Sequence, residues 1–322
     1  MSVLGNKVLL ATDGSPESGH AARVATELSI KLGSEMHLVY VEPMPCVYGI
    51  PERAVYAPDT QHHLKEVEHY AQERLGEEAA KIREYGGEVA AVHPKVGRPD
   101  AEIVRHAEEL DAGLVIVGSH GFGPFKRVLL GSVSDSVVRH ANTSVLVVRG
   151  EADRSLGRVL LAVDGSKESH LATRAAVEVA GTAGSELHVL SVLETAQLLP
   201  QMPYTGPEAW ETSGTFEEAE QHTRRLLSGV SERVEAEGSL VKESHLAVGK
   251  PEKEIVRLAG ELGAELVVLG SRGLGAVGRV LLGSVSDSVV RHAHCSVLVV
   301  RDPEHRRRDN LTRTGTEARE EG

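Results

Sequence analysis

The segment RVLLGSVSDSVVRHA at 127–141 occurs a second time, without a single change, at 279–293. Two further pairs of segments repeat at almost the same separation. They are VLLATDGSPES at 8–18 with VLLAVDGSKES at 159–169, and LVIVGSHGFG at 114–123 with LVVLGSRGLG at 266–275. A repeat with so constant an offset indicates one domain written twice in tandem.

The repeat also sets the expected domain boundaries. We predict a first domain at 1–150 and a second at 157–301, each long enough to bury its own hydrophobic core. Between them runs GEADRSLG, a polar linker with two glycines. The last stretch, 302–322, is polar, mixed in charge and without apolar periodicity, so we expect a disordered tail.

Composition excludes several classes of protein. The net charge is −12, and a broad nucleic-acid surface would need the opposite sign. Aromatic residues make up only 3% of the chain, so the core must be built from aliphatic side chains. The N-terminus lacks the pattern of a signal peptide, and no apolar run reaches membrane-spanning length. Cys46 and Cys295 lie in different halves without metal or redox spacing, so we expect a cytoplasmic protein that binds neither membrane nor nucleic acid.

Each half alternates short apolar runs with amphipathic segments. In the first half the runs KVLLAT, MHLVYV, EVAAVHPKV, GLVIVG and SVLVVR predict five strands, and they are continuous, as in strands buried on both faces. Helices are predicted between them, at 16–32, 60–86, 100–111 and 132–141. The alternation predicts an α/β fold of two tandem Rossmann-like domains, each with a five-stranded, parallel, doubly wound sheet. Ligands of such sheets bind beyond the carboxyl ends of the strands.

A glycine-rich segment follows the fourth strand in both halves. In the first half it reads Gly118-Ser-His-Gly121, then nine residues, then Gly131-Ser132. The second half has the same spacing, with Gly270, Gly273, Gly283 and Ser284. Glycines let backbone amides approach a ligand, and the following Ser132-Val-Ser-Asp135 has the form of a capping box at a helix start. Because a helix N-terminus favours anions, we predict a phosphate-binding site in each half.

With the pattern G-x2-G-x9-G-[ST] in both halves, the chain resembles tandem universal stress proteins of the ATP-binding type. The resemblance implies a Rossmann-like fold of the adenine nucleotide alpha hydrolase-like kind, with the two domains related by an internal pseudo-two-fold axis. It implies that Asp13 and Asp164, which follow the first strands, lie near the adenosine. It also implies that Val41 and Val192, in the second strands, lie against the adenine. The glycines, with Ser132 or Ser284, would then hold the phosphates and the ribose.

Some of these residues have other interpretations. Asp13 and Asp164 could instead cap the following helix or hold its turn. Gly273-Leu-Gly275-Ala-Val-Gly278 spells GxGxxG, but it follows a fourth strand, whereas a dinucleotide-binding fingerprint follows the first. His292-Ala-His294-Cys295 could suggest a metal site, although histidines at a helix end are the more common explanation.

The favoured function is an ATP-binding sensor or regulator of the stress response, with one nucleotide site per domain and Mg²⁺ as a candidate companion of the triphosphate. The chain has no Walker motif, GxSxG, HExxH or kinase motif set, so we expect no dedicated catalytic activity. A slow ATPase or nucleotide-processing enzyme is one alternative, and an interaction scaffold with vestigial pockets is another. The final strands, at 144–149 and 296–301, should lie at sheet edges that seek partners. We expect a pseudo-dimer within the chain, a homodimer of two chains, and a protein partner that the sequence does not identify.

Overall fold

The computed structural model describes residues 2–43, 58–120, 130–150, 156–194, 214–273 and 282–302, with the backbone alone at 58–67, 182–183 and 214–215. These residues fall into two compact units, one within Val3–Ala152 and the other within Asp153–Asp302. Each unit is an α/β domain, as the sequence predicts.

The first unit alternates strands and helices from beginning to end. Its elements are β1 (Lys7–Thr12), α1 (Pro16–Leu32), β2 (Glu35–Pro43), α2 (Pro58–Glu84), β3 (Ala91–Gly97), α3 (Pro99–Glu109), β4 (Leu114–Gly118), α4 (Ser132–His140) and β5 (Ser144–Val148). The strand order is β3-β2-β1-β4-β5, and every neighbouring pair is parallel. The order reverses between β1 and β4, which makes this the switch point of the sheet.

The second unit repeats this arrangement. Its elements are β6 (Arg158–Val163), α5 (Lys167–Ala183), β7 (Glu186–Glu194), α6 (Gly214–Ala236), β8 (Val241–Gly249), α7 (Pro251–Leu262), β9 (Leu266–Gly270), α8 (Ser284–His292) and β10 (Ser296–Val300). Its strand order is β8-β7-β6-β9-β10, again with parallel neighbours. One irregularity is a register shift between Leu187 and His188, where β8 carries an extra residue.

The core of each unit is aliphatic. Every residue of β5 and β10 is buried, as are nearly all residues of β1 and β4. Leu9, Ile116 and Leu160 are among the largest side chains that are fully buried. Each such side chain contributes about 1.5–3 kcal/mol relative to exposure. The unbroken burial along these strands confirms that helices cover both faces of each sheet.

Local sequence explains where the first helix of each unit begins. Ser15 has extended backbone angles, and its side chain accepts a hydrogen bond from the Ser18 N–H at 3.2 Å. Ser166 does the same for Ser169 at 3.1 Å. These N-caps fix the turns that leave the first strand of each unit.

One local expectation is wrong. Ser132 does not cap α4: it is the first helical residue, the N-cap is Gly131, and no side chain caps the helix. The predicted capping box is therefore absent. The disordered tail is predicted from about residue 302, and Asp302 itself is buried and pairs with Lys167 at 2.6 Å. The rest of that stretch, 303–322, lies outside the described residues. In the described parts of the chain, no helix is long and apolar enough to cross a membrane.

Candidate functional site

The carboxyl ends of the central strands bring several predicted site residues to one edge of each sheet. In the first unit Ala11 is in register with Val117, so Asp13 and Gly118 leave neighbouring strands at nearly the same level. Val41 follows Tyr40, the register partner of Thr12. Asp164, Val192 and Gly270 occupy the same positions in the second unit. The sheet register thus groups the aspartate, the valine and the first glycine of each unit at the switch point.

Both aspartates hold the turn that leads into the following helix. Asp13 Oδ1 accepts a hydrogen bond from the Ser15 N–H at 3.0 Å, and Asp164 Oδ1 accepts one from the Ser166 N–H at the same distance. The helix caps themselves are the two serines, so the aspartates are not caps. Both aspartates are nevertheless exposed, which leaves their carboxylates accessible to solvent.

The glycine-rich segment of the second unit lies against its aspartate. A Cβ atom on Gly273 would stand only 2.5 Å from Asp164 Oδ2. Gly273 therefore allows the backbone and the carboxylate to share one small space. The equivalent Gly121 lies outside the described residues, as do Gly275 and Gly278 of the GxGxxG segment.

The first glycine of each segment has a packing role that the sequence does not predict. A Cβ on Gly118 would lie 3.3 Å from the Glu17 carbonyl oxygen, in the first turn of α1. A Cβ on Gly270 would lie 2.8 Å from Glu168 Cβ and 2.9 Å from its carbonyl carbon, in the first turn of α5. Gly270 is needed so that the helix can pack closely on the strand end, whether or not a ligand is present, whereas at Gly118 the contact would be tight without forcing a shift.

The last glycine closes the segment onto the next helix. The Gly131 N–H donates to the Ser119 carbonyl at 2.8 Å, and Ser134 Oγ donates to the Gly118 carbonyl at 2.6 Å. In the second unit the corresponding distances are 2.7 Å for both bonds, made by Gly283 and Ser286. The start of α4 or α8 is thereby tied to the end of β4 or β9.

The first turns of α4 and α8 are arranged to receive an anion. Gly131 and Gly283 are N-caps without a capping side chain, and Ser132 and Ser284 are the exposed first residues of the two helices. A helix start without a side-chain cap presents backbone N–H donors and the positive end of the helix dipole. Phosphate groups bind at such helix starts.

The sequence analysis missed positively charged side chains at the carboxyl ends of the strands. Arg301, directly after β10, is buried, and burial together with the charge of Arg272 lowers its pKa to about 10. Arg272 also pairs with Glu168 at 3.3 Å. In the first unit burial lowers the pKa of His120, and the charge of Arg149 lowers it further. The sequence could have indicated these charges, because an arginine directly follows each of the two SVLVV strands.

A second group of residues that sequence reasoning missed lies toward the amino ends of the strands. The first histidine cluster consists of His37, His93 and His106: His37 Nδ1 and His93 Nε2 are 3.1 Å apart, and the rings of His93 and His106 are 4.2 Å apart. Burial is the main cause that lowers the pKa of His93 to about 4, and the charges of His106, His37 and Lys95 act in the same direction. The second unit repeats the pair, with His188 Nδ1 and His245 Nε2 also 3.1 Å apart.

The segment His292-Ala-His294-Cys295, which could have suggested a metal site, is a helix end. His292 is the last residue of α8, and its Nδ1 lies 2.7 Å from the Ser288 carbonyl oxygen. His294 is exposed, whereas Cys295 is buried. This matches the helix-end interpretation of the two histidines.

Comparison with known proteins identifies the chain's relatives. The profile of the Universal stress protein family matches residues 5–149 and again 156–301. A putative universal stress protein of Staphylococcus haemolyticus is 37% identical over 147 residues, which is 45% of this chain and 85% of that protein. A universal stress protein of Mycobacterium tuberculosis is 36% identical over 199 residues, 59% of this chain but only 62% of the relative's length. The crystal structure of a universal stress protein from Archaeoglobus fulgidus aligns with a TM-score of 0.66 and 29% identity, over 92% of this chain and 98% of that one.

Proposed function

The chain belongs to the universal stress protein family, and from that membership we propose that it is an ATP-binding regulator of the stress response with one nucleotide site per unit. One observation carries the proposal. At the switch point of each sheet, an exposed aspartate, a glycine-rich strand end and a helix start without a side-chain cap lie together. This combination suits a ligand with both a sugar and a phosphate chain.

The residues present fit the parts of the nucleotide. The helix starts at Ser132 and Ser284 supply backbone donors for phosphate. In the second unit Arg272 lies beside Gly283 and adds positive charge, part of which its ion pair with Glu168 offsets. The carboxylates of Asp13 and Asp164 can accept hydrogen bonds from ribose hydroxyls. Val192 is half-buried and can offer apolar surface to the base, whereas Val41 is buried in the core and offers little. Mg²⁺ would neutralise part of the triphosphate charge when it is bound.

We propose binding rather than efficient turnover. Hydrolysis requires a positioned base. In the first unit His120 is a candidate, with its Nδ1 3.0 Å from Ser119 Oγ, but Arg272 stands in its place in the second unit. A slow ATPase remains the alternative that product analysis would detect. A cytoplasmic location and a homodimer remain predictions.

The first experiment identifies what the protein carries. The chain is purified without added nucleotide and denatured, and released small molecules are identified by mass spectrometry. ATP near two equivalents per chain supports two sites, whereas ADP supports slow hydrolysis. If nothing is released, calorimetric titration with ATP and Mg²⁺ decides, and the absence of binding there would sink the proposal in favour of a scaffold.

A glycine variant tests the second site specifically. Gly273→Ala places a methyl group against the Asp164 carboxylate, so we expect ATP to bind the second unit at least tenfold more weakly. The first unit should keep its affinity. Gly229→Ala is the matched control, because a Cβ there meets nothing within 4 Å. Equal ATP affinities in wild type and Gly273→Ala would contradict the assigned site.

A further inference from the structure

The histidine pair of the second unit has a carboxylate beside it. His188, Glu243 and His245 each offer one ligand atom, and these atoms all lie within 4.8 Å of one another. In the part of the chain that the structure describes, no other group of three such residues meets this condition. His188 lies in β7 and the other two residues lie in β8, so the backbone of the sheet holds all three.

The distances suit a tetrahedral metal ion. Two nitrogen ligands of Zn²⁺ at 2.0–2.1 Å stand about 3.3 Å apart at the tetrahedral angle. His188 Nδ1 and His245 Nε2 are already 3.1 Å apart, and a Glu243 carboxylate oxygen lies 3.9 Å from His245 Nε2. Small rotations of the exposed glutamate would bring its oxygen into the same coordination sphere.

The two facing nitrogens, His188 Nδ1 and His245 Nε2, are within hydrogen-bond distance of each other, so a metal ion would replace that bond. His188 is buried, which holds its ring in place. Neutral imidazole is the form that binds metal, so the ion would compete with protons for both rings.

The first unit shows what distinguishes this pair. His37 and His93 are equally close, but the register partner of His37 is Ala91, whereas that of His188 is Glu243. The register shift of β8 falls directly before this pairing. Bulges of this kind re-aim side chains and are frequent near functional sites. In the first unit Glu35 Oε2 lies 3.7 Å from His37 Nε2, which is not the nitrogen that faces His93. In the second unit Glu243 lies beside His245 Nε2, which is the nitrogen that faces His188.

We propose that His188, His245 and Glu243 form a binding site for a divalent transition-metal ion of the zinc type. Two imidazoles and one carboxylate favour Zn²⁺, Cu²⁺ or Ni²⁺ over Mg²⁺ and Ca²⁺, which prefer oxygen ligands. The Glu243 side chain is 63% exposed, so the ion can enter from solvent and keep a water as its fourth ligand. The site is separate from the proposed nucleotide site: His188 lies four residues before Val192 along β7, about 13 Å at 3.3 Å per residue.

Cobalt substitution provides a direct test. The full-length chain, without a histidine tag, is stripped with a chelator and titrated with Co²⁺ in the absence of nucleotide. Visible absorption bands of tetrahedral Co²⁺ should rise to one equivalent per chain, and Zn²⁺ should displace them. A wild-type chain that shows no saturable band would overturn the proposal.

Variants in both units locate the site. His245→Ala and Glu243→Gln should each weaken metal binding at least tenfold, because each removes one of three ligands. The glutamine variant guards against misfolding, since Glu243 is exposed. His93→Ala, at the equivalent position of the first unit, should bind as tightly as wild type. If His93→Ala weakens binding and His245→Ala does not, the assignment is wrong.

A gain of function completes the test. Ala91→Glu gives the first unit a carboxylate at the register position that Glu243 holds in the second, so the stoichiometry should rise from one Co²⁺ per chain to two. If it stays at one, a histidine pair with a neighbouring carboxylate is not sufficient for binding. The argument from the comparison of the two units then fails.

Discussion

Replacing Gly270 by alanine tests whether helix packing or ligand approach explains the first glycine of each segment. The new Cβ would stand 2.8–2.9 Å from two atoms of Glu168, against an ordinary contact of about 3.5–4.0 Å. One of these atoms belongs to the backbone, so α5 must shift relative to β9. Overpacking of this kind costs about 1–3 kcal/mol, and the smaller entropy of the unfolded alanine chain offsets about 0.4–1 kcal/mol. We expect the free energy of unfolding to fall by about 1–2 kcal/mol.

Urea denaturation would measure this change. Circular dichroism is the suitable probe, because the chain has a single tryptophan and its fluorescence would report on one position only. Gly118→Ala is the matched variant in the first unit. Its Cβ would meet the Glu17 carbonyl oxygen at 3.3 Å and the His120 carbonyl oxygen at 3.4 Å, so its net cost should stay within about 0.5 kcal/mol of zero. The packing argument is refuted if Gly118→Ala destabilises the protein as much as Gly270→Ala does.

Two further predictions concern stability without nucleotide. Ser286→Ala removes the hydrogen bond from its Oγ to the Gly270 carbonyl and should lower the free energy of unfolding by about 0.5–1.5 kcal/mol. The control Ser284→Ala changes an exposed position and should alter the free energy of unfolding little. Equal effects of the two variants in urea denaturation would contradict this prediction. Because the pKa of His93 in the folded chain, about 4, lies below the unfolded value of 6.5, the unfolded state binds more protons between these pH values. Stability should be constant above about pH 6.5 and fall as the pH drops toward 4. A His93→Gln variant should show a shallower fall in its unfolding midpoint, and a slope as steep as that of wild type would count against this assignment.

The fold is largely predictable because its signals are local. The run KVLLAT predicts a strand at 7–12, and β1 spans Lys7–Thr12. The predicted start of β3 is off by three residues: the sequence pattern begins at Glu88, whereas the strand begins at Ala91. Strand ends depend on which backbone groups find partners across the sheet, and no single-sequence pattern contains that information.

That the candidate residues lie at the carboxyl ends of the strands was predictable, but their local contacts were not. Spacing alone puts Gly131 and Ser132 at a helix start, yet serine and glycine are both acceptable N-caps, so the pattern could not choose between them. The sequence suggests that Gly118 allows a ligand to approach. It does not reveal the close contact of Gly118 with α1, because that contact joins residues that are distant along the chain. The histidine pairs were missed for the same reason: each joins two strands separated by a long helix.

The identical sequences of α4 and α8 have a consequence for how the chain folds. Both helices bury the same three positions, a serine and two valines, against their own sheets. Either helix would therefore satisfy the docking surface of the other unit about as well as its own. Misassembly between domains is a characteristic failure of repeat proteins. During refolding, the helix of one unit can dock on the wrong sheet, and such a trap would form within a single molecule, at a rate independent of protein concentration. Synthesis from the N-terminus counters this exchange, because the first unit can complete its own docking before the second copy of the helix emerges.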